Sequence, residues 1–232
     1  MKNILLVATL FCSHFAVAQI SNINMNGAPA RLNSYTDIDG SPYLFDDWST
    51  ADIGFTNAGL KEKVSYRFNI HDNELEVINE AGNKIYLNKD YVEYAILTRP
   101  SIQLTNNNTG MLTSLLVKKG FDFVPNLGPK DLVNVIAEGK NYTLIRRFYS
   151  DLVTPPKNSY AVTAGRMFVF EESFYLIDSE ENVQSVRDNT RNILKALNEK
   201  DQDIGKEIVK KNDLNLSRED HLTIFFQKLN EL

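Results

Sequence analysis

Cysteine occurs once in the 232 residues, at Cys12, and histidine three times, at His14, His71 and His221. No cysteine follows position 12, so the bulk of the chain has no thiolate nucleophile, no disulfide framework and no cysteine ligand for zinc. His71 and His221 have no second histidine at i+3 or i+4, so no zinc pair forms from either, and neither a tightly bound transition metal nor redox chemistry is expected. No Gly-rich phosphate loop and no Gly-x-Ser-x-Gly nucleophile elbow occurs. Positive charge is also short. Lys and Arg number 25 against 30 Asp and Glu, a formal net charge of −5, and this excludes a phosphate-tracking nucleic-acid binder. The basic pairs Lys118/Lys119, Arg146/Arg147 and Lys210/Lys211 are scattered and read as solvated surface.

One apolar run is present, and it opens the chain. Lys2 precedes a stretch from Ile4 to Cys12 that continues with interruptions to Val17, and Ala16, Val17 and Ala18 place small residues where signal peptidase accepts them. Residues 1–18 are therefore expected to be a secretory signal peptide, cleaved between Ala18 and Gln19, with the product exported. Ser13 and His14 break the run well short of the ~20 apolar residues of a spanning helix, so no transmembrane segment is expected after cleavage. Phe11 before Cys12 argues against lipidation.

Residues 19–36 are polar and Asn-rich and read as an irregular arm. From 37 to 187 the signals are those of antiparallel strands. Val64, Tyr66, Phe68 and Ile70 alternate with polar residues, His71, Asp72 and Asn73 break the pattern, and Leu75 and Val77 restart it. Ala81, Gly82 and Asn83 form a second turn before Ile85 and Leu87. A strand is expected from Tyr91 to Leu97, a pair around Lys119 and Gly120, and a hairpin turning at 137–140. Met167 to Phe170 and Phe174 to Ile177 read as further strand segments, followed by an acidic turn and by Val183 and Val186.

Near 188 the period changes to that of a helix. Thr190, Ile193, Leu194 and Leu197 form one stripe, Ile204, Ile208 and Val209 a weaker second, and Leu222, Phe225, Phe226 and Leu229 a third, with Ser217 as the expected N-cap of the last helix. The fold class is α+β: an antiparallel β-meander, curved sheet or β-sandwich over 37–187, then three short C-terminal helices in 188–232 packed on it. The stripe at Phe225 is expected to be buried on the protein's own core.

Three runs, 40–48 (GSPYLFDDW), 138–147 (EGKNYTLIRR) and 214–222 (LNLSREDHL), together with the Ala18/Gln19 junction, resemble exported envelope proteins of Bacteroidota-type bacteria, a class that carries no assigned activity. The resemblance implies compartment and fold, and no catalytic residue.

Four constellations bear on chemistry. Asp37 and Asp39 beside Gly40 suggest a calcium loop, but Pro42 stands where an EF-hand needs glycine and Trp48 where it needs a bidentate glutamate, so the run reads as an aspartate-rich turn. His71 and His221 read as solvent-facing. The acid pairs Asp46/Asp47, Glu171/Glu172 and Glu180/Glu181 point to opposite faces wherever they lie in strands, and nothing singles out Glu172 as half of an acid/base couple. The strand aromatics Tyr43, Phe45, Trp48, Phe55, Tyr66, Phe68, Tyr86, Tyr91 and Tyr94 read as core. No catalytic, cofactor-binding or metal-binding residue is assigned and no cofactor is implied. The expected function is a non-catalytic binding or assembly module of the bacterial envelope with an envelope protein as partner. Its alternatives are a periplasmic carrier of an apolar ligand and a carboxylate-dependent hydrolase.

Overall fold

The computed structural model describes residues 25–30, 35, 37–56, 58–101, 110–154 and 165–231. The expected signal peptide and most of the N-terminal arm lie outside the described residues. The architecture is α+β. Eleven strands form one antiparallel sheet, in the order β1-β5-β4-β3-β2-β6-β7-β8-β9-β10-β11, and three helices follow. The strands are β1 (Gly27–Pro29), β2 (Ser49–Phe55), β3 (Gly59–Asn69), β4 (Glu74–Ile78), β5 (Lys84–Leu87), β6 (Val92–Thr98), β7 (Ser114–Lys118), β8 (Val133–Ala137), β9 (Tyr142–Val153), β10 (Met167–Asp178) and β11 (Val183–Val186). The helices are α1 (Thr190–Ala196), α2 (Glu199–Lys211) and α3 (Glu219–Asn230). The sheet is continuous, so the curved-sheet alternative holds and the sandwich does not.

Curvature comes from defects with identifiable causes. Opposite the register shift between Ala51 and Ile53, Lys63 adopts φ 55°, and its N–H donates to Asp52 Oδ1 at 2.8 Å. That side-chain acceptor holds the bulge, which bends the strand and increases its twist. The sheet curls until the β3–β4 turn meets β9. His71 Nδ1 lies 2.7 Å from the Ser150 carbonyl, which only accepts, so Nδ1 carries the proton. Ser150 Oγ donates to Ser41 O at 2.7 Å, and Asn73 Nδ2 donates to Leu132 O at 3.0 Å. Gly40, at φ +80°, passes so close to Phe168 O that a Cβ would stand 2.4 Å from it.

The curl encloses a cluster containing Ile53, Tyr66, Leu75, Leu97 and Val117, which Phe148 of β9 joins. The helices close a second cluster, in which Leu144, Phe174 and Leu176 of the sheet meet Ile193, Leu222, Phe225, Phe226 and Leu229. Phe225 and Phe226 are fully buried and meet edge to face at 5.1 Å. The Phe225 stripe therefore packs on this protein's own core. At Gly205 a Cβ would stand 2.8 Å from Leu194 and 2.9 Å from Leu197, so the missing side chain lets α2 approach α1.

Several local expectations are corrected. The strand pair around Lys119 and Gly120 is one strand, β7; beyond it the chain runs through turns, with Gly120 at φ +98° and Val124 buried. Met167 to Ile177 is one strand and not two. The arm contributes β1, which pairs with β5. Ser217 is not the cap of α3: Arg218 occupies that position without a side-chain cap bond. The strand β2, which no signal above foretold, lies between β3 and β6 near the centre of the sheet.

Candidate binding cleft

Where the start of α3 meets β9 and β10, a cleft of about 470 Å³ opens at the rim of the second cluster, lined by Phe45, Arg99, Arg146, Phe170, Glu172 and Glu219 among others. Its floor is a buried ion cluster. Arg146 lies on the inward face of β9 and is 5 % exposed, and Arg99 follows β6 directly and is also 5 % exposed. The expectation that Arg146 is solvated surface is thus wrong. Alternation along β9 turns Arg146 inward and Arg147 to the opposite face.

Glu219 joins the two cations. Its Oε1 accepts from Arg99 Nη2 at 2.5 Å and from Arg146 Nη2 at 2.7 Å, while Oε2 accepts the Leu112 N–H at 2.9 Å. Further guanidinium donors are also placed. Arg99 Nε donates to Leu112 O at 2.9 Å, and Arg146 donates to Asn134 Oδ1 through Nε at 3.2 Å and Nη2 at 2.9 Å. Asn134 is fixed in turn by donation to Leu116 O at 2.9 Å. The Arg146 guanidinium also lies 4.4 Å from the Phe148 ring centre, where a cation is attracted by the ring face. Burial raises the Glu219 carboxyl, but Arg146, the Leu112 N–H and Arg99 outweigh it and hold the group below the ordinary glutamate range.

Glu172 is held in the opposite direction. It keeps 34 % of its side chain exposed and touches the cluster only through Oε2, 3.5 Å from Arg146 Nη1. Burial raises its carboxyl above the ordinary range, the negative charges of Asp188 and Glu219 add to that, and the arginines oppose it. Asp188 lines the same cleft and forms no ion pair among the described residues. Next to Glu172 on the same face stands Phe170, 51 % exposed, its ring centre 6.1 Å from that of Phe148.

The residues singled out in the sequence are mostly elsewhere. Asp39 bridges to Met167, and among the described residues no group of three or more metal-ligating side chains occurs. His71 is exposed but serves the sheet closure, packing against Phe168 at 5.1 Å, and His221 Nδ1 accepts the Asn215 N–H at 2.8 Å. Asp46, Asp47, Glu180 and Glu181 are exposed, and Glu171 accepts from Tyr149 on the face of β10 away from the cleft. Of the aromatics, Phe45, Phe55, Tyr66 and Phe68 are core, whereas Tyr91 is 59 % exposed. Arg99, Arg146 and Glu219 were missed because single or paired charges in strand and helix patterns read as surface. One signal was legible: the polar run Glu171, Glu172 and Ser173 inside an otherwise apolar strand. No described helix is long and apolar enough to cross a membrane.

The chain matches no known family model, and no curated protein or solved structure is significantly similar to it.

Proposed function

We propose that the protein is an exported, non-catalytic binding or assembly module of the bacterial cell envelope, and that it engages an envelope protein at the cleft between β10 and α3. The observation that carries this reading is the division of labour in the cleft. Its arginines and Glu219 saturate one another and act as a rigid floor, while Phe170, Glu172 and Asp188 stand at the mouth with capacity to spare. An exposed aromatic beside underused charge on a rigid frame is how recognition surfaces are built. The leader-like residues 1–18 support export.

The hydrolase alternative has one point in its favour, two carboxyl groups in one cleft whose acidities are pushed apart. Against it, both Glu219 oxygens are already occupied by three donors, which leaves the low member of the couple no direct access to a water or substrate. The carrier alternative needs room between sheet and helices, and Phe225, Phe226 and Leu229 fill that space.

The test is cross-linking in envelopes of cells producing either the wild-type chain or Phe170→Glu. A defined adduct with wild-type protein, lost in the folded variant, is expected. Recovery only from the cytoplasm, or adducts indifferent to the substitution, would overturn the reading.

A further inference from the structure

β10 is a long strand with one long partner. It pairs with β9 without a bulge from Met167↔Val153 to Asp178↔Tyr142. On its other side β11 covers only Phe174 to Ile177, and the bridge to Asp39 covers only Met167, where the Phe168 N–H donates to Asp39 O at 2.8 Å. Between these flanks, Val169 to Ser173 have no ladder partner on that side among the described residues. Outward-pointing N–H and C=O groups recur at every second residue of an antiparallel strand. Since the Phe168 N–H points away from β9, so do the backbone groups of Phe170 and Glu172. The open stretch spans roughly 17 Å at the usual strand rise, and it borders the cleft.

Resting on the binding-module reading above, we propose that this open edge of β10 accepts an extended segment of a partner protein as an added strand, with a lysine or arginine of that segment lying against Glu172 and Asp188. Main-chain pairing supplies the attachment, and side chains of alternate residues supply the selection. On the cleft face the added strand meets Phe170 and Glu172, so it presents an apolar residue and a cation two positions apart. The need for a cation follows from the charges: Glu219 is taken up by both arginines, and Glu172 and Asp188 face each other's repulsion with Arg146, at 3.5 Å from Glu172, and the more distant Arg99 in partial compensation. A second copy of this chain fits poorly. Two β10 edges paired about Glu171 would set that residue against its own copy, and like charges directly opposite repel.

The experiment uses the purified full chain and three capped heptapeptides. The first has the order threonine, lysine, threonine, valine, threonine, lysine, threonine. The second carries glutamate for lysine, and the third carries proline in place of valine. Amide hydrogen exchange and calorimetric titration are expected to show protection of the Phe170 and Glu172 amides by the lysine peptide alone. Glu172→Gln should weaken that binding about fivefold, the loss of one cross-strand charge pair. Glu172→Lys should transfer the preference to the glutamate peptide. Equal binding of the lysine and glutamate peptides, binding of the proline peptide with undiminished affinity, or no protection at Phe170 and Glu172 overturns the proposal. So does a dimer whose Phe170 and Glu172 amides are protected without peptide. A cross-linked envelope partner whose capture is indifferent to Glu172→Lys would leave the binding-module reading standing and refute this one.

Discussion

Glu219→Gln is the perturbation with the largest expected consequence at the smallest change in shape. The side chains of Arg99 and Arg146 are 4 % and 6 % exposed, and among the described residues Glu219 is the one full charge that both contact. The amide either keeps its oxygen on both guanidinium groups and turns a donor toward the Leu112 N–H, or keeps the Leu112 bond and turns a donor toward both arginines. Removing one member of a buried ion network costs about 3 to 5 kcal/mol, because the remaining charges stay buried without compensation. For a protein of this size each kcal/mol lowers Tm by about 2 to 4 °C, so a fall of about 6 to 20 °C is expected at neutral pH. Thermal and urea unfolding followed by circular dichroism measure it. The pH dependence supplies a second check. Glu219 is depressed in the folded state, so its contribution is fully present above the unfolded glutamate value, about 4.3, and is lost as pH falls through the lower folded value. The wild-type and variant stability curves should therefore converge in acid. A loss below about 1 kcal/mol at pH 7, or a gap that stays constant into strong acid, would mean the two arginines are compensated elsewhere.

Phe225→Ala should lower stability by about 3 to 5 kcal/mol, read by urea unfolding, since the ring is fully enclosed; an unchanged midpoint would contradict the packing described. Glu172→Gln should alter stability at pH 7 by no more than about 0.5 kcal/mol, and in the stabilising sense. The carboxyl of Glu172 is raised on folding, so its favourable contribution is present below the unfolded value and lost as pH rises through the folded one; a variant markedly less stable than wild type at pH 7 would refute this sign. Intact-mass measurement of envelope fractions should find a chain beginning at Gln19, and a cytoplasmic species retaining Met1 would refute export.

What could be read in the sequence was whatever repeated. Val64, Tyr66, Phe68 and Ile70 recur at the strand period and Leu222, Phe225, Phe226 and Leu229 at the helical one, because each set shares a single buried face. β2 was missed because Ala51, Ile53 and Phe55 alternate with Asp52 and Gly54, residues that usually mark turns. Here Asp52 holds a bulge, and Gly54 makes room for the Tyr94 ring, which would lie 2.4 Å from a Cβ. β10 was divided because Glu171, Glu172 and Ser173 interrupt its apolar pattern. The strand continues through them because its ladder with β9 is unbroken, and the polar run marks the open edge. The ion cluster was illegible for a different reason: Arg99 and Glu219 stand 120 residues apart, and no local pattern reports a contact at that separation. Glu219 stands in the first turn of α3, where an acid is usual on a solvated surface, and here it turns inward onto the arginines.

The closure of the sheet onto itself bears on the order in which the molecule is assembled. The bonds that join its two arms, His71 to Ser150 and Ser150 to Ser41, connect residues 79 and 109 positions apart, whereas neighbouring strands such as β3 and β4 are joined by short turns. Hairpins of that kind form in microseconds, but long-range closures of this separation come later and slow the overall process. Until Ser150 is in place, the face carrying Val64, Tyr66 and Phe68 has no lining from β9, and Phe148 has not yet joined it. Chains stalled or cleaved before that point would expose a continuous apolar sheet with free edges, the form most prone to pair with other chains, so they should aggregate while the complete chain folds.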